Sequence, residues 1–415
     1  MTQQTRLLMV KMKGIFTYIS IIVSTTLFVL FMIEITSLLL VEIYSHMRHS
    51  GLLPVYQGMI KELPKTKEWM EGYIAELDDS AHTSWQSYVY FRRKSFKGKY
   101  INIDSNGFRK TYDSLDPKYK SIKVFIFGGS TAWGTFARDD YTIPSFISKM
   151  CANEGFNTSI LNFGEGGYVN SQEVIALMLE IRRGNVPDIV IFYDGYNDSF
   201  SAIQNEKAGV PQNETNRVRE FESIYDSHNV YRQAIRSIFT NTIYIIETLE
   251  RLRVDHIKKV DQIPTKDDIL TKAALANDAA QVYTSNIQVV QALGKYYRFD
   301  VLYYWQPALA SKNKLSAYEA DHFNFFNIRK TQSHTWNMKE FYQTATNRVN
   351  DLMSLSTDIK YYDISNIFRD HDETIFIDDV HITEEGNKIV AQKMYTDIKP
   401  IVAAKNVKLS VVPLK

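Results

Sequence analysis

An α/β fold with a central parallel sheet is what the sequence predicts for most of the chain, and two observations predict it. Short apolar runs rich in β-branched and aromatic residues occur at Lys123–Phe127, Thr158–Asn162, Ile189–Tyr193, Asp300–Trp305 and Ile359–Tyr362. Runs of this kind read as strands buried on both faces. Between and after them lie stretches with helical spacing, near Thr142–Asn153, Ser171–Arg182, Asp278–Tyr297, Met338–Leu355 and Thr383–Asp397. Strands alternating with helices of this length indicate right-handed crossovers and a sheet covered by helices on both faces.

Composition narrows the function. Of 415 residues, 45% are apolar and 23% charged, which suits a globular chain with a sizeable core. A formal net charge of +1 provides no field suited to nucleic acid, so no nucleic-acid partner is expected. Cys151 is the only cysteine, which excludes an intrachain disulfide and a cysteine metal cluster. The histidines are scattered without ligand spacing such as His-Glu-x-x-His. No metal and no other cofactor is expected.

The chain opens on a membrane signal. Ile15 to Ile33 is uncharged and mostly apolar, and after Glu34 the apolar character resumes through Leu38 to Val41. About 20 such residues cross a bilayer as a helix. The exit, Val41-Glu42-Ile43-Tyr44-Ser45-His46-Met47, is a poor cleavage site, so residues 1–45 read as a cytoplasmic stub and anchor rather than a signal peptide. Arg6, Lys11 and Lys13 precede the span and only Arg48 closely follows it. The positive-inside rule then keeps the amino terminus in the cytoplasm and puts the remainder beyond the cytoplasmic membrane, in the periplasm or at the outer face. Glu34 is expected to reach the membrane interface, a partner helix being the alternative.

Residues 46–117 read as an irregular extension with a helical stretch near Lys67–Leu77, a short strand at Tyr100–Ile103 and a turn at Asn106-Gly107. Its basic residues Arg92, Arg93, Lys94, Lys97 and Lys99 read as a solvated face, or as a surface for anionic glycan or lipid headgroups. Residues 118–405 read as the α/β domain, interrupted by an insertion at about 200–272. There Ile235, Ile238, Phe239, Ile246, Leu249 and Leu252 recur at helical spacing, as in an amphipathic helix packed on the domain or forming a lid. A second irregular stretch, Lys312–Trp336, carries Tyr318, Phe323, Phe325, Phe326 and Trp336, which suit core filling or, near an active site, sugar rings.

Four short motifs carry the chemistry. Gly128-Gly129-Ser130-Thr131 closes the first strand, Asn162 to Gly167 follows the second, and Asp194-Gly195-Tyr196-Asn197-Asp198 follows the third. Asp378-Asp379-Val380-His381 precedes the last helix. Each has a plain reading alone: a helix-capping serine, a glycine turn, a helix cap and a solvated loop. Parallel strands, however, place their carboxyl ends on one rim, so the four converge. Together they supply the parts of nucleophilic acyl transfer. Ser130 is a weak nucleophile that needs a base, and His381 can take its proton and return it to the leaving group. Asp378, three residues ahead, can fix the imidazole, with Asp379 the alternative. The backbone N–H groups of Ser130 and Gly167 and the Asn197 amide can face the oxyanion. Gly164-Glu165-Gly166 lacks the third glycine of a dinucleotide fingerprint, since Val169 stands there.

On these residues, Gly128-Gly129-Ser130-Thr131, Asn162 to Gly167, Gly195-Tyr196-Asn197-Asp198 and Asp378 to His381 resemble the four blocks of the SGNH (GDSL-like) hydrolase superfamily. The likeness spans roughly residues 122–399. Gly107-Phe108-Arg109 is similar to a lead-in found before the first block in many exported members, and no catalytic role is assigned to it. The resemblance implies a flavodoxin-like three-layer α/β/α sandwich and hydrolysis or transfer of ester-linked acyl groups. By position it gives Ser130 as nucleophile, His381 as base, Asp378 as orienting acid, and Gly167 and Asn197 in the oxyanion hole. The first block departs from the usual Gly-Asp-Ser, and the insertion leaves the substrate open.

The function expected is therefore a membrane-anchored serine esterase acting on O-acyl, chiefly O-acetyl, esters of a small molecule or cell-surface glycan. An O-acyltransferase with the same residues is the alternative, and a non-catalytic membrane scaffold a third reading. The sequence identifies no protein partner.

Overall fold

The structure, a computed structural model, describes residues 3–49, 67–113, 115–116, 118–225, 239–243, 245, 266–321 and 338–410. The chain divides into two compact units: residues 1–52 with 218–259, and residues 53–217 with 260–415.

In the first unit, α1 (Gln3–His49) contains Lys11–Ile43, the one stretch among the described residues long and apolar enough to cross a membrane. Glu34 does not stand free on this helix. Its Oε1 accepts from the Asn241 backbone N–H at 2.8 Å and from Nδ2 at 2.9 Å. Its Oε2 accepts from the Thr242 N–H at 3.2 Å and hydroxyl at 2.7 Å. A carboxylate on an apolar helix needs such donors, so the partner segment, not the interface, satisfies it. Of the amphipathic helix expected in the insertion, only Phe239 falls within the described residues, as does only Tyr318 of the five aromatics in 312–336.

The second unit begins with α2 (Lys67–Asp79), a hairpin of β1 (Thr83–Gln86) and β2 (Tyr90–Arg93), and the small pair β3 (Phe96–Lys97) and β4 (Asn102–Ile103). The α/β repeat then runs β5 (Ile122–Gly128), α3 (Ser130–Trp133), α4 (Ile143–Asn153), β6 (Thr158–Asn162), α5 (Asn170–Arg182) and β7 (Ile189–Asp194). After it come α6 (Tyr196–Asn205), α7 (Glu214–Tyr225), α8 (Lys266–Tyr297), β8 (Asp300–Trp305), α9 (Met338–Ser354), β9 (Lys360–Asp363) and α10 (Glu384–Ser410).

The five long strands form one parallel sheet in the order β6-β5-β7-β8-β9. Because side chains alternate along a strand, each strand divides its residues between two cores. Phe125 and Phe127, Val190 and Phe192, and Val301, Tyr303 and Trp305 face the layer of α5, α8 and α9. Val124 and Ile126, Ile189 and Ile191, and Leu302 and Tyr304 face α4 and α10. Across the first face the rings of Phe163, Phe127, Phe192 and Tyr303 stack at centroid spacings of 4.7, 5.2 and 5.5 Å. Each such ring taken from water contributes roughly 1.5–3 kcal/mol, so this row helps tie neighbouring strands together.

All five strand positions read from the sequence are occupied, within two residues at each end. Two helices run past their expected ends. α10 continues through Pro400, where the sequence puts its end at Asp397. Proline removes one backbone donor, but Ile398 and Val402, both fully buried, hold the helix on the sheet across that gap. α8 starts at Lys266 rather than near Asp278, since Leu275 and Ala276 are also buried against the core.

The basic stretch before the sheet is corrected in part: Lys94, Lys97 and Lys99 are exposed as expected, but Arg92 and Arg93 are not a solvated face. Arg92 is buried, with its guanidinium 5.0 Å from the Phe108 ring centroid and 5.6 Å from that of Tyr168. Arg93 pairs with Glu165 at 3.3 Å and lies 4.1 Å from the Trp133 ring centroid.

Candidate active site

Strand β5 ends at Gly128, the chain turns at Gly129, and Ser130 opens the one-turn helix α3. Gly129 is required for space, because a Cβ there would lie 2.1 Å from Asn197 Nδ2. That contact brings the third motif against the first. The Asn197 amide nitrogen also donates to the Tyr168 carbonyl at 2.8 Å. Gly167, one residue earlier in the second motif, has φ of 78°, a left-handed conformation that a side chain would strain. Beside it stands the carboxamide of Gln212, 3.3 Å from where a Gly167 Cβ would sit.

The last motif completes the arrangement. His381 Nε2 lies 2.7 Å from Ser130 Oγ, and His381 Nδ1 lies 2.6 Å from Asp378 Oδ2. Asp378 Oδ1 accepts from the backbone N–H groups of Val380 at 2.9 Å and His381 at 2.8 Å. Burial pushes the Asp378 carboxyl upward, yet the adjacent His381 charge and these hydrogen bonds prevail and hold it below its ordinary value. Asp379, the alternative orienting acid, is engaged elsewhere: its Oδ2 accepts from the Tyr196 hydroxyl at 3.1 Å. The imidazole packs edge-on against Phe136 with ring centroids 5.6 Å apart.

Next to the Ser130 turn lies a set of groups that motif reading missed. Arg109, wholly buried, pairs with Asp139 at 3.1 Å. Its two terminal nitrogens donate to the carbonyls of Trp133, Gly134 and Ala137. Arg109 thus supplies donors to the carbonyl that ends the one-turn helix and to two carbonyls in the turn after it. The Trp133 ring lies between Arg109 and Arg93, each guanidinium 4.1 Å from its centroid. The Gly-Phe-Arg lead-in was the only sequence signal for Arg109. Nothing local marks Arg93 or Glu165, since their pairing depends on tertiary contact.

Behind Asn197 the chain buries three acids, Glu173, Asp194 and Asp198. Asn170 ties two of them: its amide donates to Asp194 Oδ2 at 2.8 Å and its backbone N–H to Asp198 Oδ1 at 3.0 Å. Burial raises all three, and the neighbouring acid charges raise Glu173 and Asp194 further, bringing Asp194 to about 7 and Asp198 to about 6. A carboxyl raised in the folded state stabilises it fully below the unfolded value near 4, and that stability is lost as pH rises through 6 to 7. Stability should therefore fall by a few kcal/mol between pH 5 and pH 8. Asp194→Asn should flatten this slope and unfold at a higher urea midpoint than wild type at pH 8. A wild-type midpoint that rises over the same interval would contradict the assignment.

Comparison with known proteins matches residues 124–394 to the model of the GDSL-like lipase/acylhydrolase family. The chain belongs to that family. This GDSL-like acylhydrolase is thus an ester hydrolase by family, with the parallel sheet and flanking helices of the SGNH fold. No curated protein matches it. Among solved structures, an acetyl xylan esterase is 13% identical, with 67% of this chain and 100% of that one covered and a TM-score of 0.39. A catalytic mutant of an acetylxylan esterase from Geobacillus stearothermophilus is 11% identical over 68% of this chain and 96% of its own, at 0.38. A G-D-S-L family lipolytic protein from Desulfitobacterium hafniense is 11% identical over 66% and 99%, at 0.34.

Proposed function

We propose that this GDSL-like hydrolase is a membrane-anchored serine esterase with Ser130 as nucleophile, His381 as base and Asp378 as orienting acid. The observation that carries the reading is the continuous relay from Ser130 Oγ through His381 to Asp378, at 2.7 and 2.6 Å. In the reaction Ser130 Oγ bonds to the ester carbonyl carbon as its proton passes to His381 Nε2. Asp378 accepts a hydrogen bond from the Nδ1–H, fixes the ring and stabilises the imidazolium. The backbone N–H groups of Ser130 and Gly167 and the Asn197 amide donate to the tetrahedral oxyanion. On collapse the ester C–O bond breaks, and the departing alcohol takes the proton from His381. Water then repeats the sequence on the acyl-enzyme, His381 taking its proton, and releases the carboxylic acid and free Ser130.

Residues 118–405 form the catalytic domain in this reading, with the insertion at about 200–272. The helix around Lys11–Ile43 is the anchor, its amino end in the cytoplasm and the catalytic domain outside, as the basic residues Arg6, Lys11 and Lys13 favour. The substrates that fit this location are O-acetyl esters on cell-surface glycans. Release of p-nitrophenol from p-nitrophenyl acetate by the full chain, and its loss in Ser130→Ala, tests the chemistry. Equal release by the variant would overturn it.

A further inference from the structure

The hairpin β1–β2 carries two large rings that the fold does not use. Trp85 is 70% exposed and Tyr88 68% exposed. Both sit on a frame built with strain: Tyr88 and Tyr90 have φ of 73° and 75°, a left-handed conformation that bulky residues rarely adopt. Such strain costs of order 1–3 kcal/mol per residue and persists only where the surroundings enforce it. Here they do. Val89 between the two tyrosines is buried in the core, and its carbonyl accepts from Gln172 Nε2 at 2.8 Å. The Tyr90 hydroxyl donates to Glu214 at 3.2 Å, and the Arg217 guanidinium covers the ring at 4.4 Å. Val89 inward and Tyr90 pinned leave Tyr88 outward, where packing gives no reason for tyrosine over glycine or asparagine. Trp85 leans on Tyr90, with ring centroids 5.6 Å apart.

The hairpin also runs directly to the catalytic centre. The Tyr168 hydroxyl donates to the Phe91 carbonyl on β2, and the Arg93 N–H donates to Glu165 at 3.0 Å. These residues flank Gly167. From the other side the segment joining α6 to α7 brings Gln212 beside Gly167 and Glu214 to Tyr90.

We propose that Trp85 and Tyr88 form a binding platform for the pyranose rings of a glycan whose acyl group is presented at Ser130. Flat apolar rings match the C–H face of a pyranose, and exposed Ser84 and Ser87 with half-buried Gln86 supply partners for its hydroxyls. Of the cations beside the rings, Arg92 turns onto Phe108 and Tyr168 and Arg93 onto Glu165, while Lys94 is exposed at the base of the hairpin, so an anionic lipid surface is the competing occupant that the test separates. Only the presentation at Ser130 rests on the esterase reading; glycan binding does not. The test is calorimetric titration of the full chain in detergent with xylohexaose, cellohexaose, chitohexaose and hexagalacturonate, beside p-nitrophenyl acetate turnover. The wild type should bind at least one hexasaccharide. Trp85→Ala/Tyr88→Ala should weaken that binding at least tenfold with p-nitrophenyl acetate turnover unchanged, and Trp85→Phe/Tyr88→Phe should largely keep it. Binding to none of the four, or equal binding by the alanine variant, would overturn the proposal. So would loss of phosphatidylglycerol-vesicle binding with hexasaccharide binding intact. Hexasaccharide binding lost in the alanine variant, in a protein inert toward p-nitrophenyl acetate, would sustain the platform and refute only the esterase reading.

Discussion

His381→Ala is expected to lower turnover of p-nitrophenyl acetate by roughly 10³–10⁶-fold, because a serine hydroxyl without a base is a poor nucleophile. The fold should survive the change. The His381 side chain is 18% exposed, and without it Asp378 still accepts from the backbone N–H groups of residues 380 and 381. Asp378→Asn probes the next link. The asparagine amide can no longer both accept from Nδ1 and stabilise an imidazolium, and a loss of about 10⁴ in kcat is expected with KM little changed. Steady-state kinetics beside circular dichroism reads both. A folded His381→Ala protein with kcat within tenfold of wild type would remove His381 from the mechanism.

Arg109→Ala should destabilise the catalytic domain by about 3–5 kcal/mol, since it leaves Asp139 buried without its cation. It also removes the donors from the carbonyls of Trp133, Gly134 and Ala137, the segment directly after Ser130. Burial already pushes the Asp139 carboxyl up against the opposing pull of Arg109, so without the guanidinium it should rise further. Arg109→Lys should recover only part of the loss, because an ammonium cannot reach Asp139 and three carbonyls with a planar fork. Urea unfolding at neutral pH measures this. A shift under about 1 kcal/mol for Arg109→Ala would mean that the buried pair contributes nothing net.

The sheet and the site were legible for different reasons. Runs such as Val124–Phe127 and Ile189–Tyr193 are apolar at every position, which only a strand covered on both faces tolerates. Their odd and even residues indeed enter separate cores. Ser130 and Asn197 stand out because motif chemistry and strand-end position agree, whereas Asp378 and His381 lie well past the last strand and are marked by their spacing and by the helix that follows. The supporting groups were less visible. Arg93 and Glu173 look like ordinary surface charges in sequence, and Glu165, Asp194 and Asp198 sit in motifs that give no sign of their burial, because only tertiary packing desolvates them. The β1–β2 hairpin escaped notice because its turn uses Tyr88 at positive φ where glycine or asparagine is the usual signal. Glu34 reads as an interfacial residue, or one facing a partner helix, because its partners Asn241 and Thr242 lie far along the chain.

The central claim is that acyl transfer passes through Ser130. Labelling of the detergent-solubilised full chain with a fluorophosphonate, followed by peptide mass spectrometry, tests it most directly. The account predicts one phosphonylated residue, Ser130, with labelling abolished in Ser130→Ala and strongly slowed in His381→Ala. An adduct on any other residue, or undiminished labelling of Ser130→Ala, would contradict it.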